Sequence, residues 1–367
     1  MDAGGATDIT AQGRIPSWVC SHDTPSRHLA AKSGLPRHMA VGADNDLTLT
    51  LRQACTIDLM HTSHPAPLGH FHDVGGRRLL LHRSGTGGPA VVFLPGAGAV
   101  GLDYLNVHER VAAFTTSVLY DRAGTGWSGP AALPRTAAEV ATELRLLLHA
   151  ADVPGPYVLV GHSLGGAYAR RFAQLFPDEV AGFVYLDSFH EDWDRYLPHL
   201  RSQKVPGTPV LRLVRLLSRG YYRRMFASWP QQVCEPLIER HLDLAWLRAG
   251  AQERSDQPRL RDELRAGGSL PDVPLIALTA LGTDPAMRLL MSKRALRQMA
   301  QDKCRLYEAL AASVRHGEHR ALDRARHSTI HLDCPDAVTE AVHDLWQRVY
   351  GKGGSCSPSA SSPPTRA

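Results

Sequence analysis

The sequence predicts an α/β fold: a mostly parallel central sheet flanked by helices, with a helical insertion late in the chain. Three observations carry this expectation. Short β-rich apolar runs alternate with helical patterns across residues 68–350. One run, Tyr157-Val158-Leu159-Val160, ends abruptly in Gly161-His162-Ser163-Leu164-Gly165, a sharp turn into a helix. The alternation then lapses over residues 190–268 before it resumes.

Taken in order, residues 71–83 are patterned like the arm of a hairpin, and Ala90-Val91-Val92-Phe93-Leu94 reads as a buried strand running into Pro95-Gly96-Ala97-Gly98-Ala99. A second strand closes on Tyr120-Asp121. After Ser163, small or apolar residues recur at helical spacing over 166–176 until Pro177 stops them. Residues 182–187 and 274–280 are short apolar strands, 318–323 offers a last strand, and 336–349 a last helix.

A serine hydroxyl is a poor nucleophile unless a tight turn pushes it out of the backbone and a base reaches its proton. Strand, serine turn, helix and following strand supply that setting for Ser163, with Gly161 and Gly165 leaving room for strand and helix to pass closely. For the base, His327 lies between the last strand and the last helix, at the sheet edge where Ser163 also falls, and His331 is its near competitor. For the carboxylate that orients the imidazole, Asp284 follows the strand at 274–280, giving the chain order serine, acid, histidine. Asp187, which closes the strand after the serine helix, is the alternative acid. An oxyanion needs two N–H donors, expected from the backbone of Leu164 and of Ala97.

Three segments carry a resemblance: Leu94-Pro95-Gly96-Ala97-Gly98, Tyr120-Asp121-Arg122-Ala123-Gly124-Thr125-Gly126-Trp127-Ser128 and Gly161-His162-Ser163-Leu164-Gly165-Gly166. In order and spacing the chain resembles the α/β-hydrolase superfamily, its lid-bearing serine esterase and lipase-like branch, over residues 68–350. The resemblance implies that the insertion at 190–268 is a lid and that the Asp-x-x-Gly-x-Gly-x-Ser segment is structural, shaping the loop beside the oxyanion hole. Two departures stand out: Pro95-Gly96 replaces the frequent His-Gly, and Arg326 replaces the glycine that commonly precedes the histidine.

A rival motif, Gly96-Ala97-Gly98-Ala99-Val100-Gly101 after a strand with Asp121 about twenty residues on, has the spacing of a dinucleotide site. The hairpin arm ahead of that strand and the glycines crowding Asp121 speak against it, and it leaves Ser163, His327 and the acids unused.

Composition fits one catalytic domain with extensions. Residues 1–67 and 351–367 lack sustained apolar patterns and are expected to be disordered, and Met60 is an alternative translation start. No stretch approaches the roughly 18 apolar residues that span a membrane, and no signal peptide is evident, so a cytoplasmic protein without an integral membrane segment is expected. The six cysteines are scattered without Cys-x-x-Cys spacing, which argues against a metal site or a disulfide framework. A net charge of +5, spread along 367 residues, gives nucleic-acid binding little support.

Within the insertion, Arg212, Arg215, Arg219 and Arg223 recur at helical spacing, and no Asp or Glu occurs between Asp194 and Glu235. This is either a basic face for anionic substrate or a membrane surface, or a solvated face on a helix packed by its other side. Trp193, Tyr221, Tyr222, Met225, Phe226, Trp229 and Trp246 are the candidate lining of an apolar acyl pocket. The expected function is cofactor-independent hydrolysis of an ester-like bond in a small, largely apolar molecule, through Ser163, His327, Asp284 and an acyl-enzyme. The alternatives are a ligand receptor on the same fold with little turnover, then a C–C hydrolase, thioesterase or acyltransferase.

Overall fold

A computed structural model describes residues 65–197 and 204–353. The expected disorder of residues 1–64 and 354–367 lies outside the described residues. Chain order is strands β1 (His70–Val74), β2 (Arg77–Ser84) and β3 (Val91–Leu94), helix α1 (Leu105–Val111), β4 (Ser117–Tyr120), α2 (Ala137–Ala150), β5 (Tyr157–His162), α3 (Leu164–Leu175) and β6 (Val180–Leu186). The helices α4 (Trp193–Tyr196), α5 (Thr208–Met225), α6 (Gln231–Leu242), α7 (Leu244–Glu253) and α8 (Gln257–Ala266) then intervene before β7 (Leu275–Gly282). The chain closes with α9 (Pro285–Leu290), α10 (Lys293–Ala312), β8 (Gly317–Arg326), α11 (Ile330–Asp333) and α12 (Pro335–Gly353). α12 therefore carries three residues of the expected tail, Gly351, Lys352 and Gly353.

The eight strands form one sheet in the order β1-β2-β4-β3-β5-β6-β7-β8. β1 and β2 are the expected hairpin, turning at Gly75 and Gly76, both with positive φ. β2 runs antiparallel to β4, and all further pairs are parallel. A parallel strand is covered on both faces, so it reads as an unbroken apolar run, and β3 shows why. Its Val92 and Leu94 face the core under α2 and α3, whereas Val91 and Phe93 face the core under α1 and α12.

Parallel strands deliver their C-terminal ends to one edge of the sheet. There lie the ends of β3 at Leu94, β5 at His162, β6 at Leu186 and β8 at Arg326. Ligand sites of open α/β sheets form at this edge. No helix among the described residues is long and apolar enough to cross a membrane.

Candidate active site

Ser163 stands between β5 and α3 with φ 48° and ψ −122°, a conformation that L-residues rarely adopt and that costs about 1–3 kcal/mol. The surroundings hold it there. The Ser163 N–H donates to the Leu186 carbonyl (3.2 Å), and its own carbonyl accepts from Phe189 (2.7 Å) and Gly166 (3.0 Å). The glycines are obligatory by volume: a Cβ on Gly165 would lie 1.9 Å from the Leu94 carbonyl oxygen, and one on Gly161 2.7 Å from Gly166 Cα. A Cβ on Gly166 would lie 2.3 Å from Ser188 Cβ.

His327 follows β8, and its Nε2 lies 3.0 Å from Ser163 Oγ. On its other side Nδ1 lies 2.7 Å from Asp187 Oδ2. Asp187 is 1 % exposed and takes a positive φ of 45° immediately after β6. Burial alone would raise its carboxyl, but the Lys303 ammonium and the His327 ring hold it at about 2. Lys303 Nζ donates to the same Oδ2 at 2.5 Å and to the Ala280 carbonyl at 2.6 Å, while Oδ1 accepts the Ala280 N–H at 3.2 Å. An ionised carboxylate at Nδ1 places the ring proton there, which leaves the Nε2 lone pair facing the serine hydroxyl. An arrangement of this kind is able to take a proton from an alcohol.

The expectation that Asp284 meets the histidine is corrected by this geometry. Leu186 pairs with Leu278 in the register, so the end of β6 is level with the middle of β7, which runs on to Gly282. Asp284 is carried on to the position just before α9, where its side chain makes no capping bond, and it still lines the cavity above Ser163. The alternative acid, Asp187, is the one in contact. His331, the competing histidine, is buried with its ring 4.3 Å from that of Tyr104, and burial pushes it down to about 4.

The missing glycine before His327 is compensated by a clamp. Arg326 donates from its backbone N–H and Nε to Asp333 Oδ2 (both 2.9 Å) and from Nη2 to Oδ1 (2.6 Å), and Thr329 Oγ1 joins the same carboxylate at 2.7 Å. A relay also ties the histidine to the loop after β3. The Gly96 N–H donates to Tyr104 Oη (3.3 Å), which donates to His162 Nδ1 (2.5 Å), and His162 Nε2–H donates to the His327 carbonyl (2.8 Å). Burial holds His162 well below its ordinary value, so it stays neutral and serves as both donor and acceptor.

Ala97 and Leu164, the expected oxyanion donors, both line the cavity beside Ser163. Leu164 opens α3, where the first N–H groups have no carbonyl four residues back within the helix. The loop carrying Ala97 is fixed from below by a buried ion pair. Arg122 donates to the carbonyls of Pro95 (2.7 Å) and Gly96 (3.0 Å), and its Nε and Nη2 reach Glu253 Oε1 at 3.0 and 2.8 Å. Glu253 Oε2 accepts the Gly98 N–H at 2.9 Å. Glu253 ends α7, so the insertion itself holds this loop. Asp121, the acid of the rival dinucleotide motif, accepts from the N–H groups of Gly101 and Trp127 (2.9 Å each). A Cβ on Gly126 would stand 2.1 Å from Asp121 Oδ2, so no ribose fits there.

The cavity above Ser163 holds about 780 Å³. Of the aromatic residues singled out in the insertion, Trp193, Tyr221 and Tyr222, together with Met225, line it. Phe226, Trp229 and Trp246 are instead buried in the packing of the insertion on the domain, where Trp229 Nε1–H donates to the Leu102 carbonyl (2.9 Å). Met287, Met291 and Met299 also line the cavity. A buried pair forms a polar patch of the wall: His241 Nε2–H donates to Asp103 Oδ1 at 2.8 Å, its Nδ1 accepting from Trp246. Lys303 and the methionines escape a motif search. The available signal for Lys303 is a lysine at helical spacing among Met299, Leu306, Tyr307 and Leu310 on the inward side of α10.

A family model for the α/β-hydrolase family matches residues 91–341, and the chain belongs to that family. It is 36% identical over 139 residues to the uncharacterized protein YqjL of Bacillus subtilis, a match covering 35% of this chain and 53% of YqjL. The chain thus spans about half of that relative's length. A probable hydrolytic enzyme of Pseudomonas aeruginosa PAO1 has a similar fold at TM-score 0.55 and 17% identity, over 76% of this chain and 94% of that one. A thermophilic esterase of Thermogutta terrifontis matches at TM-score 0.51 and 19% identity, over 76% and 98%.

Proposed function

We propose that this α/β-hydrolase is a cofactor-independent serine hydrolase that cleaves an ester-like bond in a small, largely apolar molecule. The observation that supports the reading most is the unbroken line from Ser163 Oγ through His327, at 3.0 and 2.7 Å, to the buried Asp187 carboxylate. His327 Nε2 takes the Ser163 proton as Oγ attacks the acyl carbonyl. The resulting oxyanion is received by the backbone N–H groups of Ala97 and Leu164. The imidazolium, stabilised by Asp187, returns its proton to the leaving oxygen, the C–O bond breaks, and the acyl group stays on Ser163. Water, deprotonated by the same ring, then releases the acid. The helical insertion acts as the lid, and its aromatic residues with the three methionines favour an apolar acyl group.

The test is covalent labelling with a fluorophosphonate, followed by turnover of an ester series of graded acyl length. Ser163 should be modified, and Ser163→Ala should lose labelling and on the order of 10³-fold or more in kcat. Equal labelling of the alanine variant overturns the reading. Tight binding of an apolar ester without turnover would move the protein to the receptor class.

A further inference from the structure

Among the described residues, helix α5 is the least embedded long helix. Of its eighteen residues only Leu211 is buried. Most large apolar side chains exposed among the described residues sit on this one element: Val210 (51 %), Leu213 (54 %), Leu216 (76 %) and Leu217 (71 %), with Val214 and Tyr221. Val210, Leu213, Val214, Leu217 and Tyr221 follow the spacing i, i+3, i+4, i+7, i+11, so they form a single stripe along the helix. Leu216 and Gly220 widen it on one side, and a Cβ on Gly220 would meet nothing within 4 Å. On the other side run Leu211, Ser218, Tyr222 and Met225, the edge by which the helix packs. Scattered exposed leucines are ordinary, whereas a continuous stripe marks a surface that meets something apolar.

The remaining arc of α5 says what that is. Arg212, Arg215, Arg219 and Arg223 occupy it, between Leu216 and the packing edge, and Arg224 lies within the stripe at the C-terminal end. Arg219 is paired with Glu239, while Arg212, Arg215, Arg223 and Arg224 have no ion-pair partner among the described residues. No acidic residue occurs from Arg195 to Cys234 to neutralise them. A strongly amphipathic helix of low net hydrophobicity, with an arginine face and an open leucine stripe, matches an anionic lipid surface in both its apolar and its charged parts. The stripe also leads to the site: Tyr221 belongs to it and lines the cavity above Ser163, as does Met225 one turn on. The geometry points to α5 as an interfacial docking helix that lies on an anionic membrane and turns the mouth of the Ser163 cavity toward it. This inference is independent of the hydrolytic chemistry at Ser163.

The experiment is co-sedimentation of the full chain with vesicles of phosphatidylcholine alone and of phosphatidylcholine with phosphatidylglycerol, at low and high salt. The protein should pellet with the anionic vesicles, far less with the neutral ones, and be released by salt. Leu213→Glu with Leu217→Glu should abolish pelleting, and each of Arg212→Gln, Arg215→Gln and Arg223→Gln should weaken it about fivefold. All five positions lie outside the cavity, so circular dichroism and fluorophosphonate labelling should match the parent, which keeps a failure of docking distinct from a failure of the chemistry. Absence of binding to either vesicle, or double-leucine variants that pellet as well as the parent, would overturn the proposal. So would a dimer in light scattering that those variants dissociate without any vesicle binding, since the stripe would then meet a second copy. Salt-sensitive binding to polyglutamate that is indifferent to the leucine changes would assign the arginines to an acidic protein segment instead.

Discussion

Lys303 and His327 hold the same oxygen of one carboxylate: Asp187 Oδ2 lies 2.5 Å from the lysine ammonium and 2.7 Å from the imidazole Nδ1. The negative charge that backs the imidazole is therefore shared with a permanent cation. Asp187 stays ionised despite its burial, and it stabilises an imidazolium less than an unshared carboxylate would.

The first consequence concerns pH. Removing the ammonium in Lys303→Met takes away one of the two cations that hold the Asp187 carboxyl low, so that carboxyl should move up from about 2, whereas Lys303→Arg should leave it low. A carboxyl-resolved NMR titration of the folded protein checks this, and a carboxyl that stays in place in Lys303→Met would mean that the lysine only packs α10 against β7.

The two acids can be separated directly. Asp187→Asn removes the acceptor at Nδ1 and admits the wrong tautomer, with an expected loss of about 10⁴-fold in kcat. Asp284→Asn leaves the imidazole contact untouched and should change kcat by no more than about threefold, within the range of a pocket substitution. Steady-state kinetics on one activated ester rank them, and the reverse order would return the acid to the loop after β7.

Acid unfolding reports on the same group. Its folded carboxyl stands at about 2 against an ordinary 3.8. A depressed folded value contributes stability that is present above about pH 4 and is lost as pH falls through 2. The difference is worth about 2 kcal/mol. Urea unfolding between pH 5 and pH 2 should therefore show the parent losing about 2 kcal/mol more than Asp187→Asn. Parallel losses in the two proteins would mean that the carboxylate is not held below its ordinary range.

The Arg122–Glu253 pair links the insertion to the loop of Ala97, with side chains 1 % and 2 % exposed. Cutting one partner of a buried pair leaves an uncompensated charge, so Glu253→Gln should cost about 3–5 kcal/mol in urea unfolding. Arg122→Met in the same chain should recover part of that loss. In kinetics the single variant should lower kcat more than it raises KM, because the loop it loosens carries Ala97, the proposed oxyanion donor. A purely additive double variant would show that the pair is not coupled.

What could be read from the chain depended on how local the determinant is. Ser163, the loop at 95–98 and the strands β3, β5 and β6 announce themselves within ten residues, because an elbow needs small neighbours and a parallel strand needs an unbroken apolar run. His327 follows from its place between a strand and a helix. The acid does not, since choosing Asp187 over Asp284 requires knowing that β7 continues beyond the end of β6, a matter of register between strands that are distant in sequence. Lys303 is harder still: a lysine on an amphipathic helix normally faces water, and only the fold reveals that this one faces a carboxylate. The aromatic residues of the insertion divide between cavity wall and packing by how α4, α5 and α7 sit on the domain, which spacing within any one helix cannot state.

With the carboxylate supplied by the end of β6, the segment from Gly282 to Met299 is relieved of any duty toward the imidazole. Besides Gly282 and Asp284 it contributes Met287, Met291 and Met299 to the cavity, flexible thioether side chains that mould to what they touch. The cavity thus has a replaceable wall. Lineages or laboratory libraries that exchange residues there can redraw the shape of what the cavity accepts while Ser163, Asp187 and His327, placed by β5, β6 and β8, stay as they are.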